Sequence, residues 1–295
     1  MQSVEELRDK IDAAEGLQQV VKTMKGMAAV NIRQYQRADE SLAEYAATVE
    51  QGLQILLSTA GGAIHLREDV GAGRGEATLA VVFGSDQGLV GQFNSRIVRH
   101  AFEVLESIGA PRDRRRVLAI GRRLAGRLAA EDEEVVEAFD LPRSADAIAG
   151  YTRRLLPAVQ RLRDQGARRV IVLHHLPVGG ASYRAVTRHV FPLSLQWLAD
   201  LRDRPWPGPS RPMARIDPGA MLAHLVGQYL FVSLFRAFAG SLAAENASRL
   251  ASMQAAERNI DDRLDALRAT YHRQRQGQIT AELLDVMAGF EAAKK

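Results

Sequence analysis

The segment Gly84-Ser85-Asp86-Gln87-Gly88-Leu89-Val90-Gly91-Gln92-Phe93-Asn94 has the make-up of a loop that could cradle a phosphate, because glycines let backbone amides approach an oxyanion closely. It lacks both the Gly-x-Gly-x-x-Gly spacing of a dinucleotide site and the Gly-Lys-Ser/Thr end of a nucleoside-triphosphate loop. Three glycines in eight residues also serve to turn a strand into a helix at close range, with Ser85 or Asp86 satisfying free backbone amides. That structural role is the expectation. His174-His175 stand without a nearby carboxylate or matching nucleophile, and His65, His100, His189, His224 and His272 are dispersed. No His-x-x-x-His pair or carboxylate cluster of metal-site type appears. Cysteine is absent, which excludes disulfides, thiolate metal sites and thiol catalysis. No catalytic residue, cofactor or metal is therefore assigned.

The elements that would position this loop read as an α/β domain. Residues 77–84 form a short apolar run ending in glycine, the pattern of a buried strand, and Ser95 to Ile108 is helical in pattern. Val117 to Ile120 and Val170 to Leu173 repeat the strand signal, with a helix over Asp146 to Asp164 between the second and third strands. Strands alternating with helices indicate a Rossmann-like parallel sheet covered by helices, and Thr187 to Phe191 adds an edge strand. The stretches Gly61 to Gly75 and Arg202 to Pro212 read as connectors, with Trp206 as a local anchor.

The two ends of the chain differ from this middle. All ten prolines lie between Pro111 and Pro218, so both ends can form long uninterrupted helices. Apolar residues recur at steps of three and four through Val4, Leu7, Ile11, Ala14, Leu17, Val21, Met24, Ala28 and Ile32, then loosely through Tyr35, Leu42, Tyr45, Val49, Leu53 and Leu56. The tail repeats the pattern with Leu250, Met253, Ala256, Ile260, Leu264, Leu267, Tyr271, Ile279, Leu283 and Val286, after a start at Pro218. One stripe per helix is a coiled-coil seam, and two stripes from opposite ends of a chain cover each other most simply as an antiparallel pair. A helix of about 60 to 70 residues is roughly 90 to 105 Å long, so much of it needs cover from outside the chain. The expected organisation is residues 1–60 as an N-terminal coiled-coil helix, 61–214 as the α/β domain with connectors, and 215–295 as the C-terminal coiled-coil helix.

Composition narrows the function classes. With 46% hydrophobic and 25% charged residues the 295-residue chain has the balance of a folded soluble protein. The opening Met1-Gln2-Ser3-Val4-Glu5-Glu6 is acidic where a signal peptide is basic, and no run of 18 apolar residues occurs, so no membrane span is expected. The net charge of +4 is uneven, at −3 over residues 1–60, +6 over 61–218 and +1 beyond. Residues 16–38 hold Lys22, Lys25, Arg33 and Arg37 without an acid, and residues 266–281 hold Arg268, Arg273 and Arg275 without one. In an antiparallel pair both basic zones lie toward the same end, a girdle suited to an acidic partner surface or a nucleic-acid backbone. A nucleic-acid clamp is disfavoured by the acid-rich flanks Glu5 to Glu15 and Asp261 to Asp265 and by the scarcity of aromatics, so no nucleic-acid partner is expected.

Four segments, in order, resemble the gamma subunit, the central rotor shaft, of rotary ATP synthases. They are Gln18-Gln19-Val20-Val21-Lys22-Thr23-Met24-Lys25 with Met27-Ala28-Ala29, the loop Ser85 to Asn94, Ser241 to Leu250, and Ile279-Thr280-Ala281-Glu282-Leu283-Leu284-Asp285 with Gly289, approached by Tyr271 to Gln276. The resemblance implies a non-catalytic axle within a ring of alpha and beta subunits, resting with an epsilon-type subunit on a membrane c-ring. It also implies a peripheral location on the cytoplasmic face of a bacterial inner membrane. By the same resemblance Lys22, Met24, Lys25, Arg273, Arg275, Gln276, Thr280 and Glu282 are expected to contact the ring. Gly26 within the first helix, Asn31 where a base is usual and Phe290 after Gly289 depart from the family pattern.

The alternative is a nucleotide-binding α/β enzyme with helical oligomerisation arms, its ligand at Gly84 to Gly91. Calorimetric titration of the isolated chain with ATP and with NAD separates the two: the shaft reading expects no tight binding of either, and tight binding would support the enzyme.

Overall fold

The computed structural model describes residues 3–59, 75–179, 181–210 and 217–292. By contacts the chain divides into two compact units, residues 1–28 with 250–295, and residues 29–249. The division falls inside two helices, whereas the segments read along the sequence follow the order of the elements.

The N-terminal run is two helices, not one: α1 spans Val4–Ser41 and α2 spans Ala43–Thr59. The interruption has a local cause. The Ser41 hydroxyl donates to the Ala38 carbonyl at 2.9 Å, the acceptor that the Leu42 amide would use in an α-helix. The Leu42 amide donates instead to the Asp39 carbonyl at 3.2 Å, a tighter turn.

Residues 29–249 hold a five-stranded sheet of β1 (Thr78–Phe83), β2 (Arg115–Ile120), β3 (Val135–Phe139), β4 (Arg169–Gly179) and β5 (Ser182–Phe191), in the order β3-β2-β1-β4-β5. The first four are parallel and β5 is antiparallel to β4. The parallel sheet expected from the sequence is thus mixed at one edge. Between them run α3 (Phe93–Ser107), α4 (Arg122–Ala129) and α5 (Ile148–Asp164), and α6 (Leu195–Asp203) follows β5. β3 and α4 escape sequence reading because Val135–Phe139 is a half-exposed edge strand interrupted by Glu137, and α4 has only two turns. β4 is longer than its apolar run because β1 stops at Phe83; Pro177 lies beyond it and pairs only with Tyr183 of β5.

Alternate residues of the central strands face opposite layers. Leu79, Val81, Phe83, Leu118, Ile120, Val170 and Val172 pack with Leu155 and Val159 of α5 and with Phe238 and Leu242 of the last helix, α7 (Pro218–Ala292). Ala80, Val82, Val117, Ala119, Ile171 and Leu173 pack instead against α3 and α4 through Ile97, Ala101, Leu105, Leu124 and Leu128.

Helix α7 starts where Pro218 follows Asp217, whose carboxylate accepts from the Ala220 amide at 2.9 Å. From Val232 to Ser248 every residue but Arg236 is buried. An 18-residue window of this helix is apolar enough by composition to cross a membrane, although 61% of it is buried inside the protein. It reads as the core helix of this fold, and its polar interruptions explain why no continuous apolar run appears. Trp206 donates to the Ser210 carbonyl at 2.9 Å, the local anchoring expected of it. The connector expected at Gly61 to Gly75 lies, except for Gly75, outside the described residues, as do 211 and 212 of the second.

Two measurements probe this core. Phe238 stands edge-on to Phe83 at 4.8 Å and is 1% exposed, so Phe238→Ala is expected to lower unfolding stability by about 3 to 5 kcal/mol in urea titration. His174 and His175 are buried, and burial lowers their pKa values from 6.5 to about 4 and about 3. Below pH 6.5 the unfolded chain takes up protons that the native chain refuses, so their contribution to stability is complete above that pH and falls as the pH drops toward the folded values. The slope is about 1.4 kcal/mol per pH unit for each histidine. His175→Phe, replacing an imidazole whose nitrogens find no partner among the described residues, is expected to flatten the acid limb of stability against pH.

Candidate partner-contact site

The residues expected to meet a partner all fall in the unit formed by residues 1–28 and 250–295. Its seam is carried by Leu7, Val21 and Ala28 of α1 and by Met253 and Leu264 of α7, all buried, with Met24 half-buried beside them. Polar pairs flank the seam and mark its register. Lys25 bonds Glu257 at 2.5 Å, Gln18 donates to Asp261, and Arg268 bonds Glu15 at 2.6 Å. Partners rise along α7 as they fall along α1, which is the antiparallel arrangement expected.

This register corrects two readings. First, the basic zones share a unit but not a level. Lys25 lies beside Glu257, sixteen residues before Arg273 on α7, which is roughly 24 Å of helix. Each zone also has acidic company that a count along one helix does not show: Lys25 has Glu257 and Arg268 has Glu15. Second, Leu17 is 54% exposed, and Ile279, Leu283 and Val286 are 48%, 60% and 69% exposed, so these stripe positions are not seam. The reason for the last three is length. Stepping equally from Glu15 back to Val4 and from Arg268 forward puts Ile279 level with the first residue of α1, with Leu283 and Val286 past it.

Of the remaining expected contacts, Lys22, Arg273, Arg275, Gln276, Thr280 and Glu282 are exposed. Thr280 donates to the Gln276 carbonyl at 2.9 Å, Gln278 to Glu282 at 3.2 Å, and Arg273 Nε to the Ala269 carbonyl at 3.4 Å. These are bonds along one helix, and they leave Lys22, Arg275 and the guanidinium end of Arg273 facing solvent. Exposed Leu17, Val20 and Met27 on α1, with Leu284 and Met287 beside the three tail residues on α7, add apolar surface that the charge pattern does not reveal. Val20, Met27, Leu284 and Met287 fall outside the seam's period, whereas Leu17 lies on it and is exposed all the same.

The glycine loop has a different task. Asn94 accepts from the Ser85 amide at 2.9 Å and donates to the Ser85 hydroxyl at 2.8 Å, while Asp86 accepts from the amides of Arg122 at 2.8 Å and Leu141 at 2.9 Å. The loop is thereby stitched to the starts of α3 and α4 and to the segment after β3, and both oxygens of its own carboxylate are engaged. A Cβ on Gly121, whose φ is +116°, would stand 2.8 Å from the Ser85 carbonyl oxygen, so backbone packs on backbone here. Across the loop lies α7: Ala244 packs on Val90 and Phe93, and the Ser248 hydroxyl donates to the Val90 carbonyl at 2.6 Å. The crevice at the β1/β4 switch point, where doubly wound sheets commonly hold a nucleotide, is lined by the chain's own helix. His100 meets Thr187 at 2.8 Å and His174 Nδ1 meets the His175 carbonyl at 3.1 Å, so these histidines belong to the packing of β4 and β5.

A family model described as ATP synthase matches residues 3–293. ATP synthase gamma chains of Brucella ovis and Brucella suis are each 27% identical over 99% of this chain and 100% of theirs. Among solved structures, a chain of the Euglena gracilis mitochondrial ATP synthase, described as OSCP/F1/c-ring in rotational state 3, aligns with a TM-score of 0.65 at 16% identity, covering 99% of this chain and 96% of that one. A chain of the Tetrahymena thermophila mitochondrial ATP synthase, described as central stalk/c-ring, aligns with a TM-score of 0.57 at 19% identity, covering 80% of this chain and 99% of that one. The α/β sheet, the antiparallel helical unit and a match running nearly end to end agree: the chain belongs to the gamma-subunit family of ATP synthases.

Proposed function

We propose that the chain is the central-stalk rotor subunit of a rotary ATP synthase or ATPase, coupling ion flow through a membrane ring to ATP synthesis or hydrolysis in an alpha/beta hexamer. The carrying observation is the family match over residues 3–293. The exposed apolar residues of α7 beyond the end of α1 support it, since they call for cover by another chain. In this reading residues 1–60 and 215–295 form the helical shaft and residues 61–214 the domain that rests, with an epsilon-type subunit, on the c-ring. The complex is peripheral on the cytoplasmic face of a bacterial inner membrane and moves protons or sodium ions; the ion is read by the ring.

The mechanism needs only asymmetry. A shaft presenting Lys22, Arg273 and Arg275 on some faces and Leu17, Val20 and Met27 on others offers a different surface to each of three otherwise equivalent catalytic sites. Each surface favours one conformation of the site it meets, so turning the shaft changes nucleotide affinity and nucleotide binding turns the shaft. The proposed ring contacts are Lys22, Met24, Lys25, Arg273, Arg275, Gln276, Thr280 and Glu282. Lys25 then exchanges between Glu257 and acidic groups of the ring, a low-cost exchange because a part-exposed ion pair is worth about 0 to 1 kcal/mol.

A charge swap tests this. Lys25→Glu should impair coupling of hydrolysis to ion pumping while leaving assembly largely intact. Adding Glu257→Lys restores the internal pair but not the outward charge, so coupling should stay impaired in the reconstituted complex. Normal coupling in the single variant, or its full recovery in the double one, would remove Lys25 from the ring contacts.

A further inference from the structure

The carboxyl ends of β1, β2 and β3 open onto a cleft of about 490 Å³, closed on its far side by α1 and α7, all within residues 29–249. A volume of this size suits a small ligand. The cleft's hydrogen-bonding capacity is unbalanced. Its carboxylates are engaged: Asp86 accepts two backbone amides, Asp140 pairs with Arg122 at 2.9 Å, and Glu245 pairs with Arg249 at 2.6 Å.

Its donors are not. Tyr35 is 4% exposed and lines the cleft, yet its hydroxyl has no hydrogen-bond partner among the described residues. Burial, and then the neighbouring Glu245 charge, raise the Tyr35 pKa, so the hydroxyl keeps its proton. The Tyr151 hydroxyl and the Gln87 amide are likewise unpartnered there, and the Arg143 guanidinium, at the exposed lip, has no carboxylate within ion-pair distance among the described residues. A pocket with surplus donors and one uncompensated cation is complementary to an acceptor-rich anion.

We propose that this cleft binds a phosphate group, free or as the monoester of a small metabolite, with Tyr35, Tyr151 and Arg143 as its donors. The site lies on the β1–β2–β3 side of the glycine loop, with α7 lining both it and the switch point, and involves no bond making or breaking.

Calorimetric titration of the full chain at constant ionic strength, set with sodium chloride, tests it with two probes, inorganic phosphate and glycerol 3-phosphate. Saturable one-to-one binding in the millimolar range is expected for at least one. The tighter probe tells whether the site takes the free ion or the ester. Tyr35→Phe and Arg143→Ala should each weaken that binding roughly five- to tenfold with the melting temperature unchanged, whereas Arg127→Ala on α4, outside the cleft, should leave it as it was. Absence of saturable binding with both probes, or binding indifferent to Tyr35→Phe and Arg143→Ala, overturns the proposal.

Discussion

Burial of α7 on every side between Val232 and Ser248, save for Arg236, is the constraint on which the α/β domain depends. A helix with no solvated face cannot use amphipathicity to choose its orientation, so shape must do it. Small residues let it approach closely: Ala237, Ala239, Ala243, Ala244 and Ala247 are at most 1% exposed, and a Cβ on Gly240 would stand 2.7 Å from Leu176. Phe238 and Leu242 are the large residues that fill the layer over the sheet.

The polar groups of this buried stretch divide: the Ser233 and Ser241 hydroxyls have no hydrogen-bond partner among the described residues, whereas Glu245, Asn246 and Ser248 are engaged. Asn246 bonds the Leu242 carbonyl at 2.8 Å and faces Asn31 of α1 at 3.3 Å, while Glu245 holds Arg249. Burial raises the Glu245 pKa, with Arg249 opposing the rise. Such a pair adds little net stability, yet losing one member would strand a buried charge. The glycine loop fits the same scheme. Ser85, Asp86 and Asn94 spend their capacity on backbone, and Ser248 ties the loop to α7, so a segment that looks like a ligand cradle is a structural joint.

The unit of residues 1–28 and 250–295 obeys different physics. Two helices facing only each other bury a narrow seam and leave the rest to water, so its ion pairs are solvated and its outward leucines and methionines have no cover within the described residues. The register is the one that buries Leu7, Val21 and Ala28 with Met253 and Leu264, and the pairs of Lys25 with Glu257 and Arg268 with Glu15 mark it.

The signal of helix and strand periodicity was legible wherever a residue's neighbours along the chain share its environment, as in β1, β2, α3 and α5. It failed for β3, whose environment is half solvent, for the rear of β4, which only β5 covers, and for Leu42, where one hydroxyl diverts one carbonyl. By itself the sequence determined that proline-free ends form long helices, that an α/β domain lies between them, and that cysteine chemistry is excluded, because these follow from composition and local period. Only the tertiary structure decided which apolar residues form the seam and which stand exposed, which cations are answered by acids, and which donors around the cleft are left over. Each of those depends on groups brought together from distant parts of the chain, and no spacing along one strand or helix records it.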